Sequence, residues 1–375
     1  MKTARRQTGL SLIEMMVASA VAMILLMGIA QMLTATQQFN RANSEQSDLQ
    51  TAARYVFHIL SEEVRQAGMF GCSKLTEDNY TSSISPFDSY AHAFNIGIQG
   101  YSKSAGAALP DELGNLTITG SDILIVRRAY ELGFRLIQES NDTTLFNELV
   151  SGPENNACNS NTTDRINEIC AGDVLIAVDC SKGRSFVASS VDTANNADGD
   201  QMALIEHIGI NNVPGNWGGP SSDNPMDKFS LQDTLVNKAA TTAYFIRTNS
   251  KGDEYIFSKR VNGNIDRNNT EELVRGVEEL RILYGLDSDN DGSVDRYLAS
   301  TAAELAQAET YNQVVSLKIA ILVSSLNKVL LAHEIPTPAP TINYQLLDQN
   351  ISRTMDGKIR RVFTKTINLR NGGMS

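Results

Sequence analysis

The chain has little of what metal clusters and catalytic centres are built from. It holds only 4 cysteines and 4 histidines in 375 residues, and no two cysteines stand in a C-x-x-C pair. It contains no G-x-S-x-G, no H-E-x-x-H, no P-loop and no G-x-G-x-x-G, so the commonest hydrolase, metalloprotease and nucleotide-binding signatures are missing. Basic charge is also in deficit. The formal net charge is -11, which argues against a general nucleic-acid binder, because such proteins need a basic footprint. A mean hydropathy of -0.20 and a single long apolar run exclude a polytopic membrane protein. The 42% hydrophobic content excludes wholesale disorder. A chain of this length is enough for one large domain or two, with a substantial core.

The one apolar run lies near the N-terminus. Residues 1–9 are short and basic, with Lys2, Arg5 and Arg6. From Leu10 to Leu33 the chain is almost wholly apolar, long enough to cross a bilayer. Basic residues before the run keep Met1 in the cytoplasm and place Arg41 onward outside. Glu14 interrupts the run, and an ionisable residue inside a membrane segment is a functional signal. No A-x-A cleavage site follows. The apolar pattern continues instead as Leu49, Ala53, Val56, Leu60, Val64 and Ala67, spaced for one face of a helix, with Gly68 as its stop. One helix from Leu10 to Ala67 would be about 87 Å long.

Gly9-Leu10-Ser11-Leu12-Ile13-Glu14 resembles the prepilin-peptidase signal of type IV pilins and type II secretion pseudopilins. The resemblance implies cleavage after Gly9 on the cytoplasmic side and methylation of Leu10 as the new terminus. It also implies that Glu14 pairs with the terminal amine of a neighbouring subunit during assembly. Leu10 departs from the usual Phe, but the glycine sets the cut.

Beyond the helix, strand-like runs alternate with Gly, Asn, Asp and Ser turns. The clearest candidates are Ile123–Arg127, Val174–Val178, Met202–Ile205, Ala243–Arg247, Tyr255–Lys259, Leu280–Leu286, Val314–Val323 and Val362–Leu369. In Val314–Val323, Val315, Leu317, Ile319, Ile321 and Val323 share one face and Ser316 and Lys318 the other, as in a half-buried strand. Residues 301–311 read as a short helix. Residues 76–116, 138–170 and 209–240 read as long polar loops or insertions, and Pro336, Pro338 and Pro340 mark another loop. The fold class is α+β: a long N-terminal helix, apolar in its first half and amphipathic in its second, packed on an antiparallel β-sheet head. The divisions are a leader at 1–9, a transmembrane and assembly helix at 10–67 and a periplasmic head at 68–375. Three further blocks extend the resemblance: Arg65 to Cys72, Tyr284 to Asp287, and Arg361 to Thr364 with Leu369 to Asn371. Together they are similar to PilW-type minor pilins, relatives of the J-type pseudopilins.

All four cysteines lie on the side that this topology places in an oxidising compartment. Cys158 and Cys170 flank a polar loop and can staple it, which leaves Cys72 with Cys180. Asp287, Asp289, Asp291, Gly292 and Asp295 follow D-x-D-x-D-G-x-x-D, matching positions 1, 3, 5, 6 and 9 of a calcium loop. Position 12 is Leu298, where such loops carry a bidentate Glu, so weak Ca2+ binding is one expectation and a plain Asp/Asn/Gly turn the other. No other cofactor is expected. His58, His92, His207 and His333 are scattered. Lys358, Arg360, Arg361 and Lys365 read as a solvated strand face, with no specific nucleic acid as partner. The resemblance implies a non-enzymatic minor pilin, held in the bacterial inner membrane as a single pass and then in the pilus. Its partners would be prepilin peptidase, the other minor pilins, the major pilin and the assembly machinery. A J-type pseudopilin of type II secretion is the alternative, and a membrane-anchored enzyme or receptor that keeps its leader is a third reading.

Overall fold

The computed structural model describes residues 12–370, apart from 73, 104–108, 115, 117, 119–120, 139–140, 150–164, 167–168, 220–222, 232, 253, 265–266 and 331–333. Helix α1 spans Leu12–Gln66, 55 residues, or about 83 Å at the α-helical rise. Its stop is a close backbone contact. Gly68 adopts φ +72, and its N–H donates to the Arg127 carbonyl at 2.8 Å. A Cβ on the facing Gly97 would lie 2.6 Å from the Gly68 backbone, so only glycine fits there.

The two halves of α1 have different fates. In the outer half, Leu49, Ala53, Val56, Leu60 and Val64 are buried. They join one core with Leu280, Ile282, Leu317, Ile319 and Ile321 of a small sheet and with Leu124, Val126 and Tyr244 of a large one. Each large apolar side chain buried in that seam contributes about 1.5–3 kcal/mol. Glu63 ties the helix to the large sheet through a two-pronged ion pair with Arg128, at 3.0 and 3.2 Å. In the inner half none of the described residues covers the apolar side chains: Leu12, Met23 and Ile24 are each at least 70% exposed.

The small sheet has four antiparallel strands in the order Arg296–Ala299, Val277–Leu286, Val314–Ser324 and Arg360–Asn368. The large sheet has eleven strands built around Leu235–Thr248, which pairs with Asp122–Gln138 on one side. On its other side it pairs first with Val174–Val178 and then with Tyr255–Asn264. All of these ladders are antiparallel; among the described residues, Tyr80–Ser82 on Gly183–Val187 is a parallel pairing. Seven of the eight strand candidates lie wholly on strands, most of them longer than expected, and the eighth, Val362–Leu369, overruns Arg360–Asn368 by one residue.

Three expectations are corrected. Residues 301–311 form two 3-10 turns, Ala303–Ala306 and Ala308–Gln313, in place of an α-helix. Leu305 and Tyr311 are both buried. Gln307, in an extended conformation, separates the two turns, and each seats one of these side chains in the core. Second, Val314–Ser324 is buried on both faces. The hairpin Thr341–Leu346 with Gln349–Thr354 covers the second face, seating Leu346 against Ala320 and Leu322. Third, the polar stretches are not wholly loops. They include strands Ile98–Ser102, Thr144–Glu148 and the start of Leu235–Thr248. Buried Arg127 organises the first stretch by donating to the carbonyls of Tyr90 and Ile96.

A second core lies away from α1, around Phe134, Phe186, Trp217 and Val236. Trp217, the chain's one tryptophan, stacks on His207 with ring centroids 4.0 Å apart. Burial pulls the His207 imidazole down to about 4, against a partly opposing hydrogen bond between Nδ1 and the Gly215 carbonyl; Arg184 adds a small push in the same direction as burial. The folded state therefore favours neutral His207. Its contribution is complete above pH 6.5 and is lost as pH falls from there toward about 4, because the unfolded chain then binds the extra proton. The loss should reach up to about 3 kcal/mol. Burial lowers His92 as well, so it acts in the same sense. Chemical denaturation followed by Trp217 fluorescence should show stability falling between pH 6.5 and 4.5, with a shallower fall in His207→Gln. Equal slopes for the two proteins would contradict this account.

Candidate functional site: the exposed half-helix, the disulfide and the aspartate loop

Gly9 and Leu10 lie outside the described residues. Glu14 occupies the first turn of α1, exposed among Leu12, Ile13 and Met15. Two hydroxyls on and just past the apolar half bond back to their own helix. Ser19 Oγ donates to the Met16 carbonyl at 2.9 Å, and Thr34 Oγ1 to the Ala30 carbonyl at 2.7 Å. That is what a helix requires to lie in hydrocarbon.

The Cys72–Cys180 disulfide is present, with Cα atoms 5.1 Å apart. It fastens the segment just after α1 to the end of strand Val174–Val178. Cys170 is also disulfide-bonded, while Cys158 lies outside the described residues.

The aspartate loop joins Val277–Leu286 to Arg296–Ala299. Positive φ at Asn290 (61) and Gly292 (86) turns the chain sharply. Asp287 is buried, and its carboxylate accepts from the Gly292 N–H at 2.8 Å and the Asp291 N–H at 3.1 Å. Asp295 accepts from the Ser288 N–H at 2.7 Å. Oxygens of Asp287, Asp289 and Asp295 all lie within 4.8 Å of one another. Asp291 is not in this group; its Oδ1 accepts from the Ser293 N–H. Leu298 pairs with Tyr284 inside the sheet. Desolvation pushes the Asp287 carboxyl up, but the backbone N–H groups of Gly292, Asp291 and Asn290 outweigh it and hold it below the ordinary carboxylate range. Asp289 is pulled down by the Asp291 N–H, yet the neighbouring charges of Asp291 and Asp295 raise it overall. The loop thus concentrates repulsion that a hard cation would relieve.

The basic cluster is divided. Arg361 and Lys365 are exposed on the edge strand. Arg360 is structural: it pairs with buried Glu278 at 2.9 Å and with Asp356 at 2.8 Å. That hydrogen-bonded pairing holds the Asp356 carboxyl at about 2. Arg353 also reaches Glu278, at 3.2 Å. Two adjacent carboxylates, Glu278 and Glu279, in the strand-forming run Val277–Leu286 are the signal in the sequence for this cluster. Of the histidines, His58 is exposed on α1, His92 and His207 sit in the head, and His333 lies outside the described residues.

Residues 243–371 match the family of Type IV Pilus-assembly protein W, and residues 4–30 match the prokaryotic N-terminal methylation motif. The first match takes in the whole four-stranded sheet that packs on α1, and the second takes in Glu14 and most of the exposed apolar run. No curated protein and no solved structure matches the chain.

Replacing both Cys72 and Cys180 with Ser should lower unfolding stability by about 2–5 kcal/mol, because the cystine closes a long loop. The bridge spans 108 residues. Denaturation of the double variant checks it; an unchanged midpoint would mean that the helix end is held by packing alone.

Proposed function

We propose that this PilW-type minor pilin is cut after Gly9 by prepilin peptidase, methylated at Leu10, and built into the pilus through the inner half of α1. The observation that carries the reading is the division of α1. One half is consumed by the head's core, and the other offers an exposed apolar surface broken by Glu14 next to a methylation motif. Before assembly that surface lies in the inner membrane, with the head on the periplasmic side. In the filament it packs against the helices of neighbouring subunits. Glu14 then meets the terminal amine of a neighbour, since opposite charges in an apolar bundle stabilise each other and neither is stable there alone. The second core and its polar loops make the head bulky, which suits a few copies in a tip complex with other minor pilins better than dense repetition along a shaft. In that position it would help start assembly alongside the major pilin. The match to the pilus-assembly family favours this over a J-type pseudopilin.

The mature N-terminal peptide, read by mass spectrometry, should begin at methylated Leu10. Gly9→Ala should keep the leader and block incorporation, whereas Glu14→Gln should be processed normally but reach sheared pili at least tenfold less. A terminus at Met1, or a cut that releases the head, would sink the proposal.

Asp287, Asp289 and Asp295, with Asp291 beside them, would hold Ca2+ through carboxylate oxygens. Calcium at about 100 times its Kd should stabilise the protein by about 2.7 kcal/mol, and Asp289→Ala with Asp291→Ala should remove the gain. Magnesium should substitute poorly, because it demands tighter octahedral geometry. Equal melting temperatures in calcium and in chelator would leave the loop a turn, without bearing on the pilin assignment.

A further inference from the structure

Three polar side chains from separate parts of the chain meet beside the central strand of the large sheet. Asp173, fully buried, stands at the entry to Val174–Val178. Its Oδ2 accepts from Lys238 Nζ at 2.7 Å, and its Oδ1 accepts from Asn264 Nδ2 at 2.6 Å. The Cys170 N–H fixes the carboxylate from behind at 2.9 Å. The meeting is dictated by backbone register. Leu235–Thr248 pairs through Lys238 with Leu175, and three residues later through Thr241 with Asn262. The strands Val174–Val178 and Tyr255–Asn264 therefore lie end to end along the same side of it, and Asp173 and Asn264 form a bridge across the gap. Gly263 permits this closeness, since a Cβ there would lie 2.9 Å from the Ala240 methyl.

An amine, a carboxamide and a carboxylate between them are the components of a self-made amide bond. We infer that Lys238 and Asn264 become covalently joined, with Asp173 carrying the protons. The step balances without any co-reactant. The Lys238 ammonium gives one proton to Asp173, and the neutral Nζ attacks Cγ of Asn264. A new Nζ–Cγ bond forms, the Cγ–Nδ2 bond breaks, and the nitrogen leaves with the protons released by Nζ, as ammonium. Nothing is oxidised or reduced. Positioning by three strands supplies the proximity that an unassisted amide exchange lacks. The bond would lock the ladder between Leu235–Thr248 and Tyr255–Asn264 at the end remote from their connecting turn. The hairpin could then not unzip when a filament is pulled.

The test is tryptic mapping of the full-length protein, extracted from membranes in detergent and with its disulfides reduced. The expected result is a branched peptide joining residues 229–247 to 261–267, lighter than the sum of its parts by one ammonia and uncut after Lys238. Tandem fragmentation should place the junction on Asn264. Lys238→Arg, which keeps the ion pair and removes the nucleophile, should abolish the branch while leaving Trp217 fluorescence native. Asp173→Ala should abolish it too, and a branch that persists there would remove Asp173 from the reaction. Recovery of separate 229–238 and 261–267 peptides from the wild-type protein would overturn the proposal. Ammonia loss confined to Asn262-Gly263 as a succinimide would also leave the two peptides separate and count against it.

Discussion

Everything else in the molecule depends on one seam: the line of Leu49, Ala53, Val56, Leu60 and Val64 on α1, buried against both sheets. An isolated helix is marginal in water, and most helical stability in proteins comes from packing an amphipathic face. The seam supplies that packing for the outer half of α1. It also fixes the direction in which the inner half leaves the head, so the exposed apolar surface is aimed by the head's core. Glu63 with Arg128, the Gly68 and Gly97 contact, and the Cys72–Cys180 bridge all cluster near the end of this seam. They secure the point at which pull along α1 would pass into the sheets.

The head is built in two parts that share strands. The four-stranded sheet and the upper half of Leu235–Thr248 fall within the pilus-assembly match and contact α1. The second core, around Trp217, lies outside that match and away from α1. The long strands Asp122–Gln138 and Leu235–Thr248 run through both. A large distal addition can therefore be carried without disturbing the seam. The Lys238, Asp173 and Asn264 meeting point stands where the strands of the two parts abut.

Much of this was legible in the sequence, for physical reasons that differ by element. The membrane run and the seam show because their periodicities are long and unbroken. Val314–Ser324 shows because its run is rich in β-branched residues, yet its double burial does not. In the covering hairpin Thr341–Leu346 is mostly exposed and Gln349–Thr354 alternates half-buried and exposed residues, with few large apolar side chains, so it looks like loop. The aspartate motif was readable as a turn with convergent carboxylates, but the pattern did not reveal that Asp291 would turn to the Ser293 N–H. The pairing of Cys72 with Cys180 followed from setting aside two cysteines around one polar loop. The Lys238 cluster was not readable at all: its members are 65 and 91 residues from Asp173, and only the shared strand register brings them together.

The proposed division of α1 into a half held by the head and a half that packs on other subunits is tested most directly by site-specific photo-crosslinking in sheared pili. Probes would replace exposed inner residues Val17, Met23 and Ile24, with exposed outer residues Arg54 and His58 for comparison. The inner probes should each capture another pilus subunit, and the outer probes should do so rarely. Inner probes that capture only lipid, with the protein absent from the pilus fraction, would contradict the account.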